Sequence, residues 1–492
     1  MGMKNIASVL IVIGILLASI SVFGDLVGLS GRAGIGATQF LGIDAGVGLI
    51  LLGIGLLTVS RSDGPARSER WSNLLNRIPD PPPMFWVIAG FLAVYLFLFI
   101  SPVFFTKPSI QYFTKYIPDA YVTHIGFDID MTMGRVGRWL TTGNSPYHDL
   151  YYYSPLTLVI FAPLLLLGYP AYFTFSTIIT VIAFIACSLI LPILMSQKKN
   201  PVLILFLFVT GMFSYGFQFE LERGQYNVIT FALALFAIYL FHYHERLWFY
   251  AYILFSLAIQ LKIYPIFLTV MFIRDWRDWK VNIKRIAGLA LFNVALLFVL
   301  GYRLFLDFVN NLTGVQLAYQ SSRREDLSIA GFVLDLTTDG FGIIPANALP
   351  ALTRYTGLIE GIFFLVLGLC FLAIIVTEYR RRRQGCNPHL LLIATIGMLV
   401  IPSASVDYKL PLLIAPLAIL LSDLDVAKGV WRKRLSSALI FIASTAYWLT
   451  LYPFTVKPFI ISRNFPALFV LLISSTLLYY SREDPDQERQ IR

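Results

Sequence analysis

Apolar runs about as long as a bilayer is thick recur from one end of this chain to the other, and they constrain its fold more than any other feature. A hydrocarbon core of about 30 Å takes roughly 20 apolar residues of helix. Such runs occupy 5–23, 42–59, 84–104, 153–168, 170–195, 201–218, 226–242, 247–273, 286–306, 355–377, 388–404, 410–422, 435–453 and 464–480. They are uniformly apolar rather than alternating, so they read as helices and not as barrel strands. The expected fold class is all-α, a polytopic transmembrane bundle of about 12–14 helices. Composition excludes a string of soluble domains. Hydrophobic residues make up 57% of the 492 and charged residues only 13%, where a soluble domain carries about 25%. A disordered or fibrous chain is excluded for the same reason. Cys187, Cys370 and Cys386 are scattered and suggest neither a disulfide framework nor a metal site.

Positive charge orients the helices. Lys and Arg outnumber Asp and Glu by 38 to 28, mainly in short segments between apolar runs, so the net charge of +10 points to no nucleic-acid partner. Arg61–Arg77, Arg274–Arg285, Tyr379–Arg383 and Lys428–Arg434 read as cytoplasmic, and the long segments 105–152 and 307–354 as outer loops. The expected organisation is a two-helix N-terminal addition over 1–60, a cytoplasmic linker over 61–83, a membrane domain over 84–480 and a cytoplasmic tail over 481–492. The N-terminal apolar run is too long for a cleaved leader and reads as a retained helix. Parity holds if 153–168 and 170–195 cross separately, at the cost of placing Lys198 and Lys199 outside. A re-entrant 153–168 is the alternative, and the choice decides which face carries the 219–227 connection.

Polar groups at membrane depth are costly and tend to be functional. Five places stand out. In the first outer loop, Asp128 and Asp130 precede a helix-like stretch, Met131–Leu140, whose dipole would stabilise a carboxylate near its start and suit it to act as a base. The turn Gly143-Asn144-Ser145-Pro146 and the aromatic cluster of Tyr147, Tyr151, Tyr152 and Tyr153 follow. Second, Phe219–Asn227 crowds Glu220, Glu222, Arg223, Gln225 and Asn227 between two apolar runs. Third, Lys262 interrupts an apolar run, where it must snorkel, pair with an acid or meet an anion such as phosphate. Fourth, Arg323 and Arg324 precede Glu325 and Asp326 in the second long loop. Fifth, Asp407, Tyr408 and Lys409 break a late apolar stretch, and a helix broken by charges lines a cavity. The plain alternatives are a solvated loop with an aromatic belt, a polar hairpin tip, a snorkelling lysine, a surface charge run and an outer turn.

No motif of a soluble nucleotide, zinc or serine enzyme occurs. The ordered set Gly143-Asn144-Ser145-Pro146-Tyr147, Ser154-Pro155-Leu156, Gly224-Gln225-Tyr226-Asn227, Leu261-Lys262-Ile263-Tyr264-Pro265 and Asp407-Tyr408-Lys409-Leu410 resembles the membrane glycosyltransferases of the C superfamily. The similarity is greatest to family 87, which includes polyprenol-phosphate-mannose-dependent mannosyltransferases of lipid glycan synthesis, and it extends over roughly 84–480. The chain departs from the common pattern in Tyr153-Ser154-Pro155, where Tyr-Pro-Pro is frequent, and in its two extra N-terminal helices.

The resemblance implies a C-type glycosyltransferase fold with short helices in the first outer loop. It also implies a multi-pass enzyme of the plasma membrane with an extracytoplasmic active site. Its donor would be a polyprenyl-phosphate sugar, mannose by default, and its acceptor a lipid or glycan hydroxyl. The catalytic acid of that loop falls on Asp128 or Asp130, with Asp128 preferred. Lys262, Lys409, Arg323 and Arg324 become the phosphate-binding candidates. Tyr147, Tyr153, Glu222, Arg223, Gln225, Asn227, Asp407 and Tyr408 become the substrate-binding candidates. No cofactor or metal is required, because phosphate is already a good leaving group, and inversion is the expected outcome. The sequence sets no oligomeric state. A transporter or flippase for a lipid-linked or anionic solute is the rival reading, although no inverted repeat is visible.

Overall fold

Helices form on the apolar runs that fall among the described residues, where there are sixteen α-helices and no strand. The chain is seen as a computed structural model that describes residues 12–13, 126–149, 151–169, 171–197, 200–212, 214–319, 327–338, 345, 347–381, 385–402, 405–423 and 465–480. All but the first two positions belong to the second of two compact units, Tyr121–Arg492. Apart from Val12 and Ile13, several expectations lie outside the described residues. They are the spans 5–23, 42–59, 84–104 and 435–453, the linker 61–83, the stretch Lys428–Arg434, the tail 481–492, and the boundaries at 60 and 83. The same holds for Lys198, Lys199, Arg323, Arg324, Glu325 and Asp326.

The first helix, α1, spans Phe127–Thr142. It begins four residues before the stretch suggested by the sequence, so both Asp128 and Asp130 occupy its first turn. Gly143 closes it in the left-handed conformation (φ 70), its N–H bonded to the Trp139 carbonyl, a cap that glycine adopts without steric cost. A 3-10 turn over Pro146–Asp149 leads to α2, Pro155–Phe161, which opens with proline in its first turn, where no N–H is needed. Helices α3 (Ala171–Ile185) and α4 (Leu191–Met195) are joined through a π turn, giving one continuous apolar stretch over Ala171–Met195. Its 25 residues, like the 26 of α13 below, suffice by length and composition to cross a membrane.

Other runs are broken where the sequence suggested single spans. The run 201–218 divides at Ser214 into α5 (Pro201–Met212) and α6 (Tyr215–Arg223), with the Ser214 hydroxyl accepting from Phe217 N–H. Helix α7 (Asn227–Tyr243) turns back through Glu245–Leu247 into α8 (Trp248–Leu261), and the two pack as an antiparallel hairpin. The run 247–273 does not continue as one helix. Lys262 is extended (φ −148, ψ 132), and a 3-10 segment over Tyr264–Phe272 follows. Lys262 therefore sits at a helix break, not in a helix interior.

The run 286–306 is also interrupted. Helix α9 (Trp279–Leu297) is capped by the Asp278 carboxylate, and α10 (Tyr302–Tyr319) leaves it at 105°. The segment 307–354 is largely helical where it is described, containing the end of α10, α11 (Ile329–Thr337) and α12 (Leu349–Arg354). Helices α13 (Thr356–Arg381), α14 (Pro388–Val400), α15 (Ile414–Asp423) and α16 (Phe465–Tyr480) complete the described bundle. Every residue of α14 and α15 is buried, whereas α13 exposes Leu358, Leu365, Leu369 and Leu372. Apolar helices gain little by leaving lipid for one another, so close packing must hold them. At Gly211 in α5, an added Cβ would overlap the side chain of Ile414 in α15.

Candidate active site

Glycine lets the two polar segments of the site meet. Gly224 ends α6 in the left-handed conformation (φ 66), and a Cβ there would lie 2.6 Å from Cγ2 of Ile129 in α1. The Gly126 N–H donates to the Glu222 carbonyl at 2.6 Å. These contacts bring the first turn of α1 onto the Phe219–Asn227 segment, which is a helix end and a tight turn rather than a solvated hairpin tip.

Three side chains from distant parts of the sequence then connect. The Gln225 amide donates to Asp128 Oδ2 at 2.6 Å, and its carbonyl accepts from Lys262 Nζ at 3.0 Å. Lys262 also donates to the Tyr153 hydroxyl at 3.3 Å and lies 4.6 Å from the ring centres of both Tyr153 and Tyr226. Aromatic faces stabilise a cation that has left water. Arg223 reaches the other Asp128 oxygen at 3.5 Å. The Asp128 side chain keeps 18% of its surface exposed, so a substrate hydroxyl can reach it.

Asp130 faces elsewhere and accepts from the Tyr172 hydroxyl. A second buried layer lies behind the first. Glu220 accepts from the Asn227 amide at 2.7 Å and from Val228 N–H at 3.0 Å, while Tyr264 donates to Asn227 Oδ1 at 2.7 Å. Lys409 lies buried with its ammonium 4.8 Å from the Tyr264 ring centre, and Tyr408 packs against Phe219 at 5.6 Å. The backbone at Asp407 starts a 3-10 segment; its side chain lies outside the described residues. Tyr147 is buried, donates to the Tyr153 carbonyl at 3.1 Å and packs on Phe308 of α10. Burial pushes the Tyr147 hydroxyl well above its usual range.

Glu222 is 4% exposed, and burial, reinforced by the nearby Asp128 charge, pushes its carboxyl up to about 8 against the opposing effect of Arg223. Helix α6, which carries it, has nine residues, too few to span a bilayer. Sequence reasoning did not single out Tyr172, Tyr226 or Tyr264 as partners of these groups. Tyr226 and Tyr264 carried only the signal of adjoining Gly224-Gln225 and Lys262-Ile263, and Tyr172 carried none, since isolated tyrosines in apolar runs look like ordinary core. Among the described residues no group of three or more His, Cys, Asp or Glu is placed to hold a metal.

A family model described as glycosyltransferase family 87 matches residues 151–405, just over half of the chain. The matched stretch contains Tyr153, the Glu220–Asn227 segment and Lys262. It begins after Asp128 and Asp130 and ends before Asp407 and Lys409. No curated protein and no solved structure matches the chain.

Proposed function

The chain belongs to glycosyltransferase family 87, and from that premise we propose that this membrane glycosyltransferase takes its sugar from a polyprenyl-phosphate donor. The sugar is mannose, and it passes to a lipid or glycan hydroxyl on the outer face of the plasma membrane. The hydroxyl oxygen attacks the anomeric carbon as Asp128 accepts its proton. The bond from that carbon to the phosphate oxygen breaks, and its electron pair leaves with polyprenyl phosphate. Attack opposite the leaving group inverts the anomeric centre. Lys262 and Lys409 stabilise the phosphate charge as it grows, with Arg323 and Arg324 as further candidates, and Tyr153 offers a face to the sugar ring.

The single observation that carries this reading is the Gln225 amide joined at once to Asp128 and Lys262. One residue bonds both a proton acceptor, suited to the attacking hydroxyl, and a cation, suited to the leaving phosphate. Asp130, engaged by Tyr172, is the weaker base candidate. The test uses purified enzyme with a polyprenyl-phosphate sugar and a lipid acceptor, and it measures released polyprenyl phosphate. Asp128→Asn should abolish release, by about 10²–10⁴-fold for loss of a general base, with folding retained. Full activity in Asp128→Asn together with loss in Asp130→Asn would transfer the role to Asp130.

A further inference from the structure

The hairpin of α7 and α8 separates two cationic places. Lys262 stands just past one end of α8 and Trp248 at the other, about 21 Å apart at 1.5 Å per residue. At the Trp248 end a cavity of about 610 Å³ opens between the hairpin and α9. Its geometry is graded. Its lining holds Arg274, Lys284 and Arg285 with one carboxylate, Glu245. Further along both helices the lining is apolar, with Tyr252 and Ile253 on α8 and Gly288, Leu289 and Phe292 on α9.

The α9 wall follows helical periodicity. Val281, Lys284, Arg285, Gly288, Leu289 and Phe292 recur at spacings of three and four, which places them on one face. An added Cβ at Gly288 would meet nothing within 4 Å, so the cleft is open along its length at that turn. Arg274 is engaged in part. It donates to Glu245 at 2.9 Å and to the Phe241 carbonyl, while its Nε is buried with no hydrogen-bond partner. Arg285 stands 5.8 Å over the Phe241 ring, and Lys284 is exposed. Trp248, Phe249 and Phe292 line the cavity and are each more than two-fifths exposed. Trp248 and Tyr252 in this lining are of the amphipathic ring type enriched at the boundary between headgroups and acyl chains.

We propose that this cleft is a binding site for an anionic glycerophospholipid of the surrounding bilayer. The lipid's phosphate lies among Arg274, Lys284 and Arg285, and one acyl chain runs along Gly288, Leu289 and Phe292. A soluble anion would use the cations but leave the apolar wall unoccupied, and a zwitterionic lipid would set its ammonium against three cations. Basic clefts between helices at one membrane face have the chemistry that selects anionic headgroups. The site lies at the opposite end of the hairpin from Asp128, and its occupancy does not depend on the transfer reaction.

The test titrates the purified full-length protein in neutral detergent with phosphatidylglycerol, phosphatidylcholine or glycerol 3-phosphate, reading lipid retention by native mass spectrometry and thermal stability in parallel. Phosphatidylglycerol alone should be retained and stabilising. Lys284→Ala/Arg285→Ala should weaken retention by about 30-fold, from roughly one charge's worth per residue. Gly288→Leu, which fills open space and leaves every charge in place, should also weaken it. Lys280→Ala, on the same helix but outside the cavity lining, should not. Equal retention of phosphatidylcholine, equal stabilisation by glycerol 3-phosphate, or unchanged retention in the double variant and in Gly288→Leu would each overturn the proposal.

Discussion

Gly224→Ala is the sharpest perturbation of the site, because the residue touches no substrate and acts only through geometry. Two costs arise. An alanine at φ 66 carries the left-handed penalty of about 1–2 kcal/mol. Its Cβ would also stand 2.6 Å from Ile129 Cγ2 and 3.1 Å from Ile129 Cβ, against a comfortable carbon separation of about 3.5–4.0 Å. Ile129 is 1% exposed and β-branched, with one strongly preferred rotamer in a helix, so its side chain cannot swing aside. Relief must come from moving α1 away from α6 by about 1 Å, and Asp128 travels with Ile129. A displacement of that size at a reacting group costs about 100-fold in rate.

The control is Gly143→Ala. That glycine has φ 70, and a Cβ there meets nothing within 4 Å, so it carries the conformational penalty without the collision. Both variants should lose stability from strain, Gly224→Ala the more because of its collision, measured by thermal unfolding in detergent. Only Gly224→Ala should lose kcat/KM for transfer by about two orders of magnitude. Equal kcat/KM in the two variants would refute the argument that contact between α1 and α6 sets the Asp128 position.

Two further outcomes follow from the same geometry. Gln225→Leu keeps volume but strips a hydrogen bond from each of Asp128 and Lys262. It should reduce stability by about 3–6 kcal/mol, two bonds to charged groups at roughly 1.5–3 each, and lower kcat more than it raises KM; unchanged stability would show that the bridge does not form in solution. Glu222, raised from 4.5 to about 8, favours the fold while protonated. Its contribution is fully present below pH 4.5 and is lost as pH rises through about 8. Thermal unfolding across that window should show a decline in the parent enzyme that is absent in Glu222→Gln, and matching profiles would remove Glu222 from the explanation.

The helices were legible because length and uniform apolarity select them without knowledge of neighbours. The breaks were less so. Residues on both sides of Lys262 are apolar, as are those flanking 298–301, and nothing in hydropathy distinguishes a bend of 105° from a continuous span. The site shows the same division. Asp128, Gln225 and Lys262 each stood out as polar groups too costly for their surroundings. Their partnership spans 97 residues between Asp128 and Gln225 and 37 between Gln225 and Lys262, and it is set by Gly224 fitting against Ile129, a packing fact. Tyr264 and Tyr172 stayed hidden for that reason: their hydroxyls gain meaning only from Asn227 and Asp130 across the fold.

Sidedness ties the two ends of the bundle into one testable claim. The stretch Arg274–Arg285 supplies cations to the lipid cleft, and by the positive-charge rule it belongs in the cytoplasm. On the proposed topology the hairpin crosses the bilayer, its two ends lie on opposite sides, and Asp128 and Lys262 face outward. Asn144 reports on that end, because it adjoins the turn carrying Tyr147, whose hydroxyl bonds the Tyr153 carbonyl beside Lys262. Both Asn144 and Lys280 are exposed, and the native Cys187, Cys370 and Cys386 are all buried, which keeps background labelling low. In intact cells, a membrane-impermeant maleimide should label Asn144→Cys at once and Lys280→Cys only after permeabilisation. The reverse pattern would put the carboxylate on the cytoplasmic face and sink the proposal of an outward-facing transfer site. Labelling of both positions from one side would contradict the hairpin itself.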